Sequence, residues 1–251
     1  MSIEKLFSLQ GKRALITGSS RGIGLAIAQL FGEAGAEVVY HGSRESEKLD
    51  EAVAAAKANN VKVQKVVADL GDPDAAKKIT QAIPDVDILV LNASVQRYMT
   101  VEQFDAAEFA DEININVSVG IQLIQHYIEG MKSRKFGRVI TIGSINQLRP
   151  AGRLFAYAAT KAAQNVVMLT GAKEYASYGI TFNNISPGVI ATDRNKAALA
   201  DPKIVENLMQ IVPAKRFGMA EDVAPSALLL ASDAGNYIDG SNIIVAGGMQ
   251  L

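Results

Sequence analysis

The stretch FAYAATKAAQN, residues 155–165, places a single phenol and a single ammonium among mostly small side chains, Tyr157 and Lys161. Four residues apart on a helix, the two project from one face about one turn apart. A phenol beside a cation is chemistry for moving a proton, because the positive charge favours the phenolate. Ala156, Ala158, Ala159, Ala162 and Ala163 let another body approach that face closely. The pair alone also fits a helix packed tightly on a partner, with both side chains snorkelling at its edge. The rest of the chain has to decide between the two.

A second cluster lies near the start. TGSSRGIG, residues 17–24, carries Gly18, Gly22 and Gly24, with Ser20, Arg21 and Ile23 between them. It follows the first apolar run, where a helix N-terminus beyond a parallel strand offers free N–H groups to a phosphate. Glycine permits the turn and lets a pyrophosphate approach the backbone. The spacing is G-x-x-x-G-x-G, not the G-x-G-x-x-G fingerprint.

The second apolar run ends VVYHGSR, residues 38–44. A dinucleotide fold often has an acidic residue here to bind the adenosine ribose hydroxyls. Gly42 occupies that position, followed by Ser43 and Arg44. Without a carboxylate to repel it, a 2′-phosphate can be held by the Ser43 hydroxyl and the Arg44 guanidinium, with help from Arg21. That favours NADP over NAD; the alternative is that Arg44 only begins a surface helix.

These groups have to be held by a scaffold, and the apolar pattern supplies one. Short runs rich in β-branched residues fall at 13–17, 36–41, 61–68, 86–92, 137–143, 179–186 and 242–247. Helix candidates lie between them, at 23–33, 46–58, 73–83, 103–133, 155–177 and 221–233. Runs apolar almost throughout imply a sheet covered on both faces. The expected fold is α/β: a single Rossmann-like domain over residues 1–251, a doubly wound parallel sheet of about seven strands with helices on both faces. The least regular stretch, 188–217, is expected as a substrate flap around 190–217, or as an ordinary surface connection.

Composition narrows the function. The 251 residues are 49% hydrophobic and 20% charged, with a formal net charge of −1, which does not favour nucleic acid. With no cysteine, disulfides, thiolate metal sites and cysteine nucleophiles are excluded. His41 and His126 are the only histidines, and neither sits near a G-x-S-x-G elbow, which sets a serine hydrolase aside. No apolar run approaches the roughly 18 residues of a membrane span. The N-terminus lacks an apolar targeting core, and the expectation is a soluble cytoplasmic protein.

Strand, glycine turn and Tyr-x-x-x-Lys together resemble the short-chain dehydrogenase/reductase family in its form of about 250 residues. The likeness runs from Gly11 to the C-terminal VAGG. Ser144, thirteen residues before Tyr157, matches the family's catalytic serine. Asn116, twenty-one residues before Gly137, matches its catalytic asparagine, with Asn114 as the rival assignment. ADL carries Asp69, which matches the acid near the adenine, with Leu70 beside it. SPGVIAT, residues 186–192, supplies Pro187, Gly188, Ile190 and Thr192, the turn and threonine on the carboxamide side. One motif departs: Asn-Asn-Ala-Gly is here Leu91, Asn92, Ala93 and Ser94. Leu91 loses a polar group expected to tie the central strands together, and Ser94 adds a side chain beside the cofactor.

The resemblance implies reversible hydride transfer between NADP, less readily NAD, and a carbonyl or alcohol carbon, with no metal. Tyr157 is then the acid/base. Lys161 and the oxidised nicotinamide lower its pKa, and Lys161 also hydrogen-bonds the ribose. Ser144 holds the substrate oxygen, and Asn116 positions a water that relays protons past Lys161. The relatives that fit include 3-oxoacyl-carrier-protein reductases and gluconate 5-dehydrogenases. Gln96, Arg97, Gln147, Arg149 and Arg153 are placed to surround the pocket, which suits a small polar or anionic substrate; solvent or a subunit interface is the other place for them. The family's habit implies a homotetramer paired through 103–133 and 155–177. A non-catalytic NADP-binding sensor or scaffold is the competing class.

Overall fold

The structure is a computed structural model that describes residues 2–251. Seven parallel strands form one sheet: β1 (Arg13–Ile16), β2 (Glu37–Gly42), β3 (Val63–Val67), β4 (Ile88–Leu91), β5 (Gly137–Ile142), β6 (Ile180–Pro187) and β7 (Asn242–Val245). Their spatial order is β3-β2-β1-β4-β5-β6-β7. The helices are α1 (Ile3–Leu6), α2 (Gly22–Glu33), α3 (Glu47–Ala58), α4 (Ala75–Ala82), α5 (Ala106–Ile113), α6 (Val119–Arg134), α7 (Phe155–Tyr175), α8 (Lys196–Leu199), α9 (Pro202–Ile211) and α10 (Ala220–Ala231). Each expected strand and helix falls within a few residues of an observed one. Among the described residues no helix is long and apolar enough to cross a membrane.

Strand alternation explains the two cores. Ala14, Ile16, Ile88 and Val90 face one side, where Ile27 and Phe31 of α2 and Val223 and Leu230 of α10 cover them. Leu15, Val39 and Leu89 face the other, against Ile79 of α4, Leu123 and Tyr127 of α6 and Met168 of α7. Both faces are dry, so the central strands need no polar positions, which is why they read as unbroken apolar runs. Winding reverses beside β1, which pairs with both β2 and β4. In such a sheet the carboxyl ends of β1 and β4 mark the switch point at which ligands bind.

Two expectations change. The helix expected over 103–133 is interrupted by a π-helical turn, Asn114–Ser118, between α5 and α6. A wider turn adds a residue without changing the apolar period of either flank, so periodicity does not reveal it. The segment expected as irregular, 188–217, contains α8, α9 and a 3₁₀ turn at Asp193–Asn195. Asp201 caps α9 by accepting from the Lys203 N–H at 2.9 Å, and Pro202 occupies the first helical turn. Proline suits that position, since its missing N–H would be unpaired there anyway.

Candidate active site

The glycine turn leaves β1 through two residues in the left-handed region, Gly18 at φ +65° and Gly22 at φ +58°. Gly24 is required for a different reason. A Cβ there would stand 2.5 Å from Asn92 Nδ2 and from the Gly18 carbonyl oxygen. That close approach is held by Asn92, whose Nδ2 donates to the carbonyls of Thr17 at 2.9 Å and Gly18 at 3.1 Å. Thr17 completes the clamp: its Oγ1 accepts from the Asn92 and Ala93 N–H groups at 2.9 and 3.0 Å. The tie between β1 and β4 therefore survives the change at Leu91. Leu91 itself packs in the apolar layer, its Cδ1 3.0 Å from where a Cβ on Gly120 would be.

His41 fastens the turn from the other side. Its Nδ1 accepts from the Gly18 N–H at 3.0 Å, and its Nε2 lies 3.0 Å from the Ala68 carbonyl. One partner can only donate and the other only accept, so the ring is neutral with its proton on Nε2. Burial pushes its pKa down to about 4.

Arg21 precedes α2 in an extended conformation and its side chain makes no capping bond; no acidic residue lies in the first turn. The first N–H groups of α2 are thus open to an anion, and the positive end of the helix dipole points at it. The cradle fits a dinucleotide diphosphate. Thr192 closes over it, with Cγ2 3.3 Å from where a Cβ on Gly22 would be. Ser20 and Ile23 line the turn, half-buried. Pro187 ends β6; Gly188 continues it by donating to the Val245 carbonyl at 3.0 Å, and buried Ile190 pairs with Gly218.

At the end of β2, Ser43 and Arg44 are exposed. Arg21 does not join them; it lies 3.6 Å from Asp193, which also pairs with Lys48. Asp69 accepts from the Gly71 N–H at 3.0 Å, and the carbonyl of buried Leu70 accepts from Asn114 Nδ2 at 3.2 Å. Asn114 therefore faces Leu70 and Asn116 faces α7.

Tyr157 and Lys161 are buried on α7, 4% and 1% exposed, with Lys161 Nζ 5.5 Å from the tyrosine ring centre. Ser144 follows β5; its Oγ accepts from the backbone N–H and the Nδ2 of Asn146 at 3.1 and 3.2 Å, which leaves its own proton free to donate. Asn116, on the π-helical turn, donates through Nδ2 to Thr160 Oγ1 at 3.0 Å and braces Val95, accepting from its N–H at 2.9 Å. Three elements thus bring Asn116, Ser144, Tyr157 and Lys161 together.

The electrostatics differ from expectation. The Tyr157 pKa is raised, because burial outweighs every favourable contact. Chief among the groups pulling it back is the Arg194 guanidinium, followed by hydrogen bonds with Ser144, Arg194 and Ser94. The Lys161 pKa itself falls to about 7, through burial first and the nearby charge of Arg194 second, offset by Glu112. An ammonium stripped of water is a poorer cation, which the spacing of two residues in a sequence does not convey.

Arg194 was not singled out from the sequence. It reaches from the 3₁₀ turn after β6 to Ser94, donating to its carbonyl and hydroxyl oxygens at 2.7 and 2.9 Å. The basic groups expected around the pocket are partly committed elsewhere. Arg97 pairs with Asp111, and Arg149 donates to the Met249 and Leu251 carbonyls at 2.9 and 3.1 Å. Arg153 is exposed, Gln96 donates to the Tyr98 hydroxyl at 2.9 Å, and Gln147 lies against Asn184. The structural roles of Gln164, Glu112, His41 and Thr17 also escaped notice, because a lone buried polar residue carries no motif.

Comparison with known proteins agrees with this fold. The family profile described as short chain dehydrogenase matches residues 12–203. The chain belongs to the short-chain dehydrogenase/reductase family, a family of oxidoreductases. It is 33% identical over 255 residues to a gluconate 5-dehydrogenase of Gluconobacter oxydans, covering 100% of this chain and 99% of the relative. Among solved structures, it is similar to a 3-oxoacyl (acyl-carrier-protein) reductase of Agrobacterium tumefaciens with NADP bound. That likeness has a TM-score of 0.94 and 37% identity over 99% of this chain and 98% of the other. A gluconate 5-dehydrogenase of Burkholderia cenocepacia, in complex with NADP and tartrate, gives a TM-score of 0.91 and 30% identity over 99% and 98%.

Proposed function

We propose that the protein is an NADP-dependent oxidoreductase that interconverts a carbonyl and a secondary alcohol on a small polar or anionic substrate, with Tyr157 as acid/base. The observation that carries the reading is buried Tyr157 and Lys161 on α7, with Arg194 tied to Ser94 and its charge acting on the Tyr157 hydroxyl, beside the open N-terminus of α2.

Bound in that cradle, the cofactor supplies or accepts the hydride. The remaining work falls to the chain. The free proton of Ser144 holds the substrate oxygen, a donor aimed where negative charge develops. Tyr157 gives that oxygen its proton during reduction and takes it back during oxidation. Arg194 stabilises the phenolate and offers its guanidinium to an acidic group on the substrate. Asp193, paired with Arg21 and Lys48, links the same segment to the phosphate cradle. The segment 190–217 is in this reading the flap that closes over substrate.

The 2′-phosphate preference rests on Ser43 and Arg44 where a carboxylate would otherwise stand. NADP bound to both solved neighbours described above supports it. Exposed Ile121 on α6 and Val166 and Leu169 on α7 support a homotetramer paired through these helices, with the cytoplasm as its proposed setting. The test is oxidation of NADPH and NADH side by side over sugar acids, diketones and acyl thioesters. Turnover with NADPH on an acidic substrate is expected; tight NADPH binding with no turnover on any carbonyl would make the protein a sensor.

A further inference from the structure

Gln164 stands three residues after Lys161 on α7 and is only 4% exposed. Its Oε1 accepts from Lys161 Nζ at 2.9 Å, and its Nε2 donates to the backbone carbonyl of Asn116 at 2.6 Å. Lys161 Nζ also donates to the Ile142 carbonyl at 2.8 Å. The Asn116 side chain is committed to Val95 and Thr160. The amide therefore spans the gap in which a water on Asn116 was expected to relay protons from Lys161.

The two bridges differ chemically. A water accepts a proton on one lone pair and releases another, so it passes protons along. An amide accepts only through oxygen and donates only through nitrogen, and passing a proton would require tautomerisation. The adjacent space, about 10 Å³, is lined by Asn116, Thr141 and Gln164 together with Leu91, Ile124 and Met168. It is too small for a file of waters.

We propose that Gln164 is a positioning residue that replaces the relay water: it fixes the Lys161 ammonium on α7 and closes the inward proton route, so that protons leave Tyr157 by the cleft. The proposal rests on the reading of Tyr157 as acid/base. The charged groups acting on Lys161 come from separate elements, Arg194 from the segment after β6 and Glu112 from α5, with Tyr157 one turn away on α7 itself. In so dry a setting, losing one acceptor makes the ammonium harder to keep, and a weaker ammonium leaves the phenol harder to ionise.

Two variants separate this role from simple packing. Q164M keeps the length and bulk of the side chain but neither accepts nor donates. Q164A opens a space that a water can fill between Nζ and the Asn116 carbonyl. For alcohol oxidation, Q164M is expected to move the pH midpoint up by about one unit and cut turnover at neutral pH ~10-fold. Q164A is expected to keep the wild-type profile. A packing role predicts the reverse order, because alanine leaves the larger cavity. An unshifted Q164M profile, or a Q164A profile shifted further than that of Q164M, overturns the proposal. The Lys161 titration, followed by NMR in lysine-labelled protein and assigned with K161M, reads the same contact without turnover. Its midpoint is expected to fall by about one unit in Q164M and to hold in Q164A. If wild-type protein reduces no carbonyl, the catalytic reading fails, while an unchanged Q164M titration is what refutes the role of Gln164.

Discussion

The Arg194 guanidinium donates to both the carbonyl and the hydroxyl oxygen of Ser94, at 2.7 and 2.9 Å, and so joins the segment after β6 to the loop after β4 across the mouth of the site. Both residues are within reach of Tyr157. Arg194→Leu should raise KM for an acidic substrate ~10- to 100-fold, the range of a lost charge-assisted hydrogen bond. It should leave KM for a neutral carbonyl compound nearly unchanged. Steady-state kinetics on a matched acid and ester decide; equal losses on both would mean that Arg194 only shapes the loop.

Tyr157→Phe removes the hydroxyl proposed as the acid/base. Turnover is expected to drop by at least ~10²-fold, with NADPH affinity measured by fluorescence titration largely intact. Because burial raises the phenol's pKa, the acid form dominates at neutral pH. Carbonyl reduction should therefore proceed at neutrality, and alcohol oxidation should climb as the solution is made alkaline.

Arg44→Glu places a carboxylate at the end of β2, where the adenosine ribose is expected. NADPH should bind ~10- to 100-fold more weakly, through the loss of one charge-assisted contact and a new repulsion, while NADH should bind as well as before or better. An unchanged ratio of the two dissociation constants would place the 2′-phosphate elsewhere.

His41 gives the fold an acid limit. Its pKa is about 4 in the folded protein against an ordinary 6.5, so the unfolded chain binds the extra proton between these values. Stability is full above pH 6.5 and declines as the pH falls toward 4, by about 3 kcal/mol from this group. Thermal unfolding from pH 7.5 to 4 should show the decline. His41→Gln, which retains an acceptor and a donor, should flatten it between pH 6.5 and 4.

The sheet was legible because burial on both faces leaves strands that are apolar throughout, and helices declared themselves as the longer segments between those runs. The chemistry was legible only where spacing repeats a known pattern, as with Tyr157, Lys161, Ser144 and the glycine turn. Asn116 could be assigned by spacing, but the π-helical turn beneath it could not, since no residue type encodes an extra peptide in a turn. Arg194 sits in a segment whose path depends on tertiary contacts, and its reach to Ser94 spans a hundred residues of sequence. The burial of Tyr157 was illegible for a related reason. Desolvation depends on everything packed around a group, and it raises the pKa of Tyr157 and lowers that of Lys161.

The wide turn at Asn114–Ser118 also sets how the chain can tolerate change. Losing a single codon there would restore an ordinary helical pitch, while α5 and α6 kept their buried faces in register. The carboxamide that braces Val95 and Thr160 would be swung out of the site, and the Val95 N–H would lose its acceptor. Both the chemistry and the resistance to heat would suffer, although the two helices would remain.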